Sequence, residues 1–147
     1  MRRNQIIEAI DEAKLAHEKQ MDNAKALIQL GDLTKMTAVK KSNCRFNSWL
    51  SGSAFDVKKV LGEQLYIGLD MDQDEWHRDY VELYKIFSQR PKLGFIAKIF
   101  KNDELSTVEL KMAEFYNERL KIASNKLINA VESAKRMVYA MPESRFA

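Results

Sequence analysis

The chain has 147 residues, with 24 Lys and Arg against 21 Asp and Glu, so its net charge is only +3. This length is typical of one folded domain. The near balance of charge argues against a nucleic-acid-binding protein, which would carry a basic surface. A hydrophobic content of 46% with 10% aromatic residues excludes a wholly disordered chain. Five Gly and two Pro are few, and they favour long helices over a turn-rich β fold.

A single cysteine, Cys44, excludes an internal disulfide and indicates a reducing compartment. The opening residues MRRNQIIEAIDEAK are basic at the start, but acidic residues interrupt the apolar stretch that a signal peptide needs. Nowhere do 18 apolar residues run together. We therefore expect a cytoplasmic protein that does not insert into a membrane.

The first predicted element is an amphipathic helix from Asn4 to Leu30, ended by Gly31 and Asp32. Its apolar stripe recurs every three or four residues and consists of Ile6, Ile10, Ala13, His17, Met21, Ala24 and Ile28. The imidazole of His17 lies inside this stripe and not beside it.

The middle of the chain predicts shorter helical pieces. The stretch from Leu33 to Gly52 could hold one or two of them, with Ser42 or Asn43 as an N-cap. Two more are expected over Asp56–Leu61 and Gln64–Leu69. The acidic residues 72, 74 and 75 then indicate the start of a further helix. Its buried stripe is Trp76, Tyr80, Leu83, Tyr84 and Phe87, and Pro91 and Gly94 should kink or end it.

The last predicted helix runs from about Leu105 to Met141, where Pro142 ends it. Its apolar residues alternate at spacings of four and three, like a coiled-coil seam: Tyr116, Leu120, Ala123, Leu127, Ala130, Ala134, Met137 and Met141. The expected fold class is all-α, a four-helix-bundle-like single domain over 1–147 with long first and last helices. Residues 141–147 are expected to form a frayed tail.

No glycine-rich phosphate loop, GxSxG, HExxH or paired CxxC motif is present, so we expect no enzyme. The residues that could bind a metal are His17, Cys44 and His77, because zinc binds thiolate and neutral imidazole. The plainer interpretation of each is a packed core residue: a histidine with one hydrogen-bond partner and a small buried thiol.

The segment Cys44-Arg45-Phe46-Asn47-Ser48-Trp49, together with His17 in AHEKQ, resembles the chemoreceptor zinc-binding (CZB) domain family. The final helix is similar in pattern to that family's closing helix. The resemblance implies a bacterial cytoplasmic four-helix bundle in which a His, a Cys in C-x-[LF]-G-x-W and a later H-x-x-x-H hold one zinc ion. Asn47 replaces the motif glycine, and Asn is the residue after Gly that best tolerates a left-handed backbone.

The chain departs from the family because it contains no H-x-x-x-H. One alignment places Ser88 and Lys92 at the paired positions, with Pro91 between them, and neither side chain can bind zinc. A second alignment starts from His77 and places Val81 at the last position. It leaves His17, Cys44 and His77 with an open position for water or for the carboxylate of Asp74 or Asp79.

The resemblance implies a sensory or regulatory module in chemotaxis or cyclic-di-GMP signalling, responsive to zinc or to redox state through His17 and Cys44. Without zinc, these two residues could form an imidazole–thiol pair with a low-pKa thiolate. The alternative is a zinc-less interaction or structural protein that kept the fold and lost the site. The expected partner is a second copy of the chain or a signalling protein, with the long final helix as the dimer surface.

Overall fold

The computed structural model describes residues 2–31, 44–52, 57–88 and 107–146. Within these ranges the chain forms five α helices and no strand. The helices are α1 (Arg3–Leu30), α2 (Arg45–Ser51), α3 (Val57–Leu61), α4 (Glu63–Ser88) and α5 (Thr107–Ala140), and a short 3-10 helix follows at Glu143–Phe146. The predicted all-α bundle with long first and last helices is confirmed.

The end of α1 agrees with the sequence. Gly31 adopts a left-handed conformation (φ 65°), and its N–H donates to the carbonyl oxygen of Leu27 at 2.7 Å. This geometry is a common glycine C-cap, which satisfies a carbonyl that has no partner inside the helix.

The start of α4 differs from the sequence prediction. The short helix expected over Gln64–Leu69 and the helix expected to begin at Asp72 are one continuous helix from Glu63. Gly68 lies inside it, and an interior glycine costs only about 1 kcal/mol relative to alanine, less than the burial of neighbouring apolar residues contributes. Residues 72, 74 and 75 are therefore in the middle of the helix.

Several predicted features lie outside the described residues. They include the residues Asp56, Pro91, Lys92, Gly94 and Leu105. The prediction of Ser42 or Asn43 as the N-cap is wrong for α2, whose N-cap is Cys44. The predicted short helix over Asp56–Leu61 is observed from Val57 onward as α3.

The three long helices pack with α5 antiparallel to both α1 and α4. On the α1 side, Lys135 contacts Asp11 and Lys14 contacts Glu132, at 2.7 and 2.8 Å. On the α4 side, Lys126 lies 4.0 Å from Glu75, and Arg119 contacts Asp79 at 3.1 Å, so later residues of α4 meet earlier residues of α5. Because α1 and α4 both run antiparallel to α5, they are parallel to each other.

The apolar core consists of two clusters at opposite ends of the bundle. The first cluster includes α2, α3 and the start of α1: Ile6, Ile7, Ile10, Ala13, Cys44, Phe46, Leu50, Val57, Leu61, Leu69, Leu127, Val131, Ala134, Val138 and Phe146. The second joins the end of α1, the end of α4 and the start of α5: Ala24, Leu27, Trp76, Tyr80, Leu83, Phe87, Ala113, Leu120 and Ala123. The buried residues His17, Gln20, Gln73 and Ser124 fall between the members of the two clusters along their helices.

The tail after α5 was predicted to be frayed, but it is packed against the bundle. Residues 143–146 form the 3-10 helix, and Phe146 is only 8% exposed. Arg3 holds this segment, because its guanidinium contacts the Glu143 carboxylate at 2.7 Å, donates to the Met141 carbonyl and lies over the Phe146 ring. The burial of one aromatic ring and these polar contacts outweigh the entropy of a free end.

None of the described helices contains a stretch apolar enough, over 18 residues, to cross a membrane.

Candidate functional site

Five buried polar or sulfur-bearing side chains lie where the two apolar clusters adjoin, and we call them the polar layer: His17, Gln20, Cys44, Gln73 and Ser124, of which Cys44 also belongs to the first cluster. Each is at most 6% exposed. His17 and Gln20 are one turn apart on α1, Gln73 is on α4, and Ser124 is on α5. Cys44 is the residue that precedes the first turn of α2. All four of these helices therefore contribute to one buried site.

The local structure around Cys44 places its thiol in the interior. The Cys44 carbonyl accepts hydrogen bonds from the backbone N–H and the hydroxyl of Ser48, at 3.0 and 3.1 Å, which fixes the first turn of α2. Phe46 and Leu50 of this helix are buried in the first cluster. The helix ends at Gly52, where a Cβ would lie only 2.5 Å from the Ser48 carbonyl oxygen. Asn47 lies inside α2, so no left-handed residue is needed at that position.

The Cys44 thiol is hydrogen-bonded to two glutamine amides. Its S–H donates to Gln20 Oε1 at 3.4 Å, and Gln73 Nε2 donates to its sulfur at 3.3 Å. These contacts use both hydrogen-bonding capacities of a protonated thiol. Because the residue is 1% exposed, water and solutes have no direct access to the sulfur.

The His17 imidazole is hydrogen-bonded to Ser124 of α5. Its Nε2 lies 2.7 Å from Ser124 Oγ. The ring is packed edge-on against Trp76, with centroids 4.7 Å apart. Burial in this apolar setting lowers the pKa of His17 from 6.5 to about 4, because desolvation disfavours the imidazolium. The imidazole is therefore neutral at pH 7.

The expected imidazole–thiol pair is thus divided between different partners. His17 bonds to Ser124, whereas Cys44 bonds to Gln20 and Gln73. A neutral imidazole also supplies no positive charge that would stabilise a thiolate. The geometry gives the plainer interpretation, a packed histidine and a packed thiol, more support than a reactive pair.

His77 lies one turn after Gln73 on the same buried side of α4. It is 6% exposed, and its ring centroid lies 5.8 Å from that of Tyr80 and 6.1 Å from that of Trp76. Of the carboxylates considered as a further ligand, Asp79 is buried and accepts two contacts from Arg119 Nε, at 3.1 and 3.2 Å. Asp79 is therefore engaged in an ion pair.

The donor set tests whether zinc fits this site. Across the described ranges, no group of three or more His, Cys, Asp and Glu side chains is arranged to hold a metal ion. The groups that contact Cys44 are amides, which are weak ligands for zinc compared with imidazole and thiolate. The set of His17, Cys44 and His77 remains a prediction for metal analysis, and no step proposed for this chain is routed through a metal.

The structure places Gln73, and not Ser88, beside Cys44. Ser88 is the last residue of α4, and at 1.5 Å per residue it lies about 22 Å beyond Gln73 along the helix. Its hydroxyl donates to the Lys85 carbonyl at the exposed end of α4. Gln73 and His77 are four residues apart, the spacing of the H-x-x-x-H that the CZB resemblance implies. In this register His77 would occupy the second position of the pair and Gln73 the first.

Sequence reasoning missed Gln20, Gln73 and Ser124. A signal was present, because each lies at helical spacing within an apolar stripe. Gln73 is four residues after Leu69 and three before Trp76, and Ser124 is three residues before Leu127. A polar residue inside such a stripe indicates a buried hydrogen bond, as it did for His17.

Comparison of the chain with family models, with curated proteins and with solved structures finds no match. The resemblance to the CZB family therefore depends on the motif residues of this chain alone.

Proposed function

We propose that the chain is a bacterial cytoplasmic regulatory module, a degenerate relative of the CZB domains, that acts by binding and not by catalysis. The observation that carries the proposal is the polar layer: a thiol, an imidazole, two amides and a hydroxyl from four helices, enclosed between two apolar clusters. Burying these groups costs free energy that an apolar core would not cost. In this proposal, that cost is retained because the polar layer lets the helices respond to a ligand or a chemical change.

Within this proposal, the register of α4 explains the missing histidines. Gln73 takes the first position of the implied H-x-x-x-H, and its amide bonds to Cys44 instead of sharing a metal with it. His77 keeps the second position. The chain would then have replaced one zinc ligand by an amide. A role in chemotaxis or cyclic-di-GMP signalling follows from the resemblance and is part of the proposal.

The decisive experiment restores the ligand. We expect Gln73→His to bind one zinc ion per chain, because an imidazole at this position would join Cys44, His17 and His77. The zinc should be lost again when His77→Ala is added to Gln73→His. The control is Gln64→His, which introduces a histidine on the exposed surface of α4. Purified in the same way and without a chelator, this variant should bind no zinc.

The outcomes separate the candidate functions. Stoichiometric zinc in the unaltered protein, lost in both His17→Ala and Cys44→Ala, would support a zinc-responsive module. Zinc in Gln73→His alone would support a relative that lost its metal. If neither the unaltered protein nor Gln73→His binds zinc while both remain folded, the resemblance to the CZB site is wrong.

A second candidate is an interaction protein whose function lies at its surface. Val108, Phe115 and Ile122 of α5 are 68%, 56% and 58% exposed, and their spacing of seven places them on one face of the helix. Such a face favours a helical partner, either a second copy or a signalling protein. Sedimentation at increasing concentration tests self-association. Phe115→Glu should abolish it, whereas Leu15→Glu, on the exposed side of α1, should not.

A further inference from the structure

The polar layer contains two buried polar atoms without a hydrogen-bond partner among the described residues. They are Nδ1 of His17, which is 1% exposed, and Oε1 of Gln73, which is 0% exposed. Buried polar atoms in native proteins are almost always paired with a protein group or an ordered water molecule. Each of the two atoms therefore requires a partner that the packed side chains do not supply.

The contact between Ser124 and His17 favours one position for the imidazole proton. The Ser124 hydroxyl has one proton to donate, and its hydrogen bond to a described side chain is the one to His17 Nε2. If Ser124 donates, Nε2 is the acceptor and the proton of the neutral ring is on Nδ1. The opposite tautomer would leave the buried serine proton without an acceptor among the described side chains. We therefore assign the donor role to His17 Nδ1.

The residues that carry the two unpaired atoms share neighbours in the interior. The His17 ring is 4.7 Å from that of Trp76, and Gln73 is one helical turn before Trp76 on α4. The Gln73 amide reaches the sulfur of Cys44, whose other bond goes to Gln20, one turn after His17 on α1. A donor on α1 and an acceptor on α4 are thus connected through the same neighbouring side chains, and one water molecule bonded to both would satisfy both.

We propose that the polar layer binds one water molecule, which accepts a hydrogen bond from His17 Nδ1–H and donates one to Gln73 Oε1. The water would join the pair Ser124–His17 to the group of three, Gln73, Cys44 and Gln20, in one chain of hydrogen bonds. This chain runs from α5 through α1 and α4 to Cys44, the residue before α2, and returns to α1 at Gln20. It holds α2 in place by polar bonds in addition to the burial of Phe46 and Leu50.

Two measurements on the unaltered chain test the proposal. Long-range ¹⁵N correlation spectra should show the His17 proton on Nδ1, and a high-resolution crystal structure should show one water molecule within hydrogen-bond distance of both atoms. A proton on Nε2 would overturn the proposal. So would a direct bond from Nδ1 to Oε1, a metal ion between them, or continuous packing with no water.

Variants test the network without a structure. Gln73→Met should speed hydrogen exchange of the α2 amides by about tenfold relative to those of α1, whereas Gln64→Met, exposed on the same helix, should not. In a double-mutant cycle, His17→Phe and Gln73→Met should be coupled by about fivefold or more in the unfolding equilibrium constant. Equal exchange in both variants would refute the proposal that the network holds α2, and independent effects in the cycle would refute the water link.

Discussion

Burial of His17 should make the protein less stable as the pH falls from 7 to 5. The folded-state pKa is lowered to about 4 from an ordinary value of 6.5. Between these two values, the unfolded chain binds a proton at this residue and the folded chain does not. Protonation therefore favours the unfolded state, so the stability contributed by the neutral imidazole is complete above about pH 6.5 and is lost as the pH falls toward 4.

The size of the effect follows from the shift. A difference of about 2.5 pKa units corresponds to about 3.4 kcal/mol when the pH is below both values. At pH 5 the linkage relation gives about 2 kcal/mol. With a urea m-value of about 2 kcal/mol per molar, the midpoint of unfolding should fall by about 1 M between pH 7 and pH 5.

The assay is urea unfolding at pH 7, 6 and 5, followed by circular dichroism and by tryptophan fluorescence. His17→Gln removes the titrating group and keeps a polar side chain that can bond to Ser124. We expect its midpoint to change much less with pH than that of the unaltered protein. His77→Gln is the matched control, because it removes the other histidine of the chain and leaves His17 in place.

The reasoning would be refuted by equal losses of stability in the unaltered protein and in His17→Gln. A loss that disappears only in His77→Gln would assign the acid sensitivity to the other histidine. The Glu132 carboxylate does not interfere in this range, because its hydrogen bond to Lys14 holds its pKa below the ordinary value.

Three further changes test other contacts. Arg119→Ala leaves the buried Asp79 carboxylate without its guanidinium partner, so the free energy of unfolding measured in urea should fall by about 1–3 kcal/mol. Adding Asp79→Asn should recover part of that loss. Losses that simply add in the double variant would contradict the ion pair's role. Gly31 has φ 65°, so Gly31→Ala should destabilise the protein by about 1 kcal/mol. Gly68 lies inside α4 with open space at its Cβ position, so Gly68→Ala should stabilise the protein slightly. Effects of the same sign in both variants would refute the different backbone conformations of the two glycines. Because the Cys44 thiol is only 1% exposed, it should react with an aromatic disulfide reagent at least about a hundredfold faster in urea than in the native protein. Equal rates would show that the thiol is accessible to the reagent in the native protein.

The predicted apolar seam of α5 was partly wrong for a geometric reason. Leu120, Ala123, Leu127 and Ala134 are buried as predicted, but Met137 is 41% exposed and Val138 is fully buried in its place. A strict repeat of seven residues drifts by about 20° per heptad on a straight helix with 3.6 residues per turn. Three heptads after Tyr116, this drift has moved the side that faces the core from Met137 to the next residue, Val138. Val131 and Val138 are therefore buried, as expected for a straight helix.

The polar layer could be predicted only in part. His17 and Cys44 were identified because His and Cys are common metal ligands. Glutamine, by contrast, is a residue type usually found on the surface, so Gln20 and Gln73 were not identified. Whether a glutamine is solvated or buried depends on what packs over it. For Gln73 the covering group is the Cys44 thiol, 29 positions away in the chain, and no local pattern specifies that contact.

The sequence by itself determined the helical class, the long first and last helices and the end of α1, because apolar spacing and a left-handed glycine are local properties. Only the tertiary structure decided that α4 begins at Glu63, that Phe146 is packed, and that Gln73 pairs with Cys44. These features depend on which helix faces meet and at what register, and register arises from the packing of whole helices against each other.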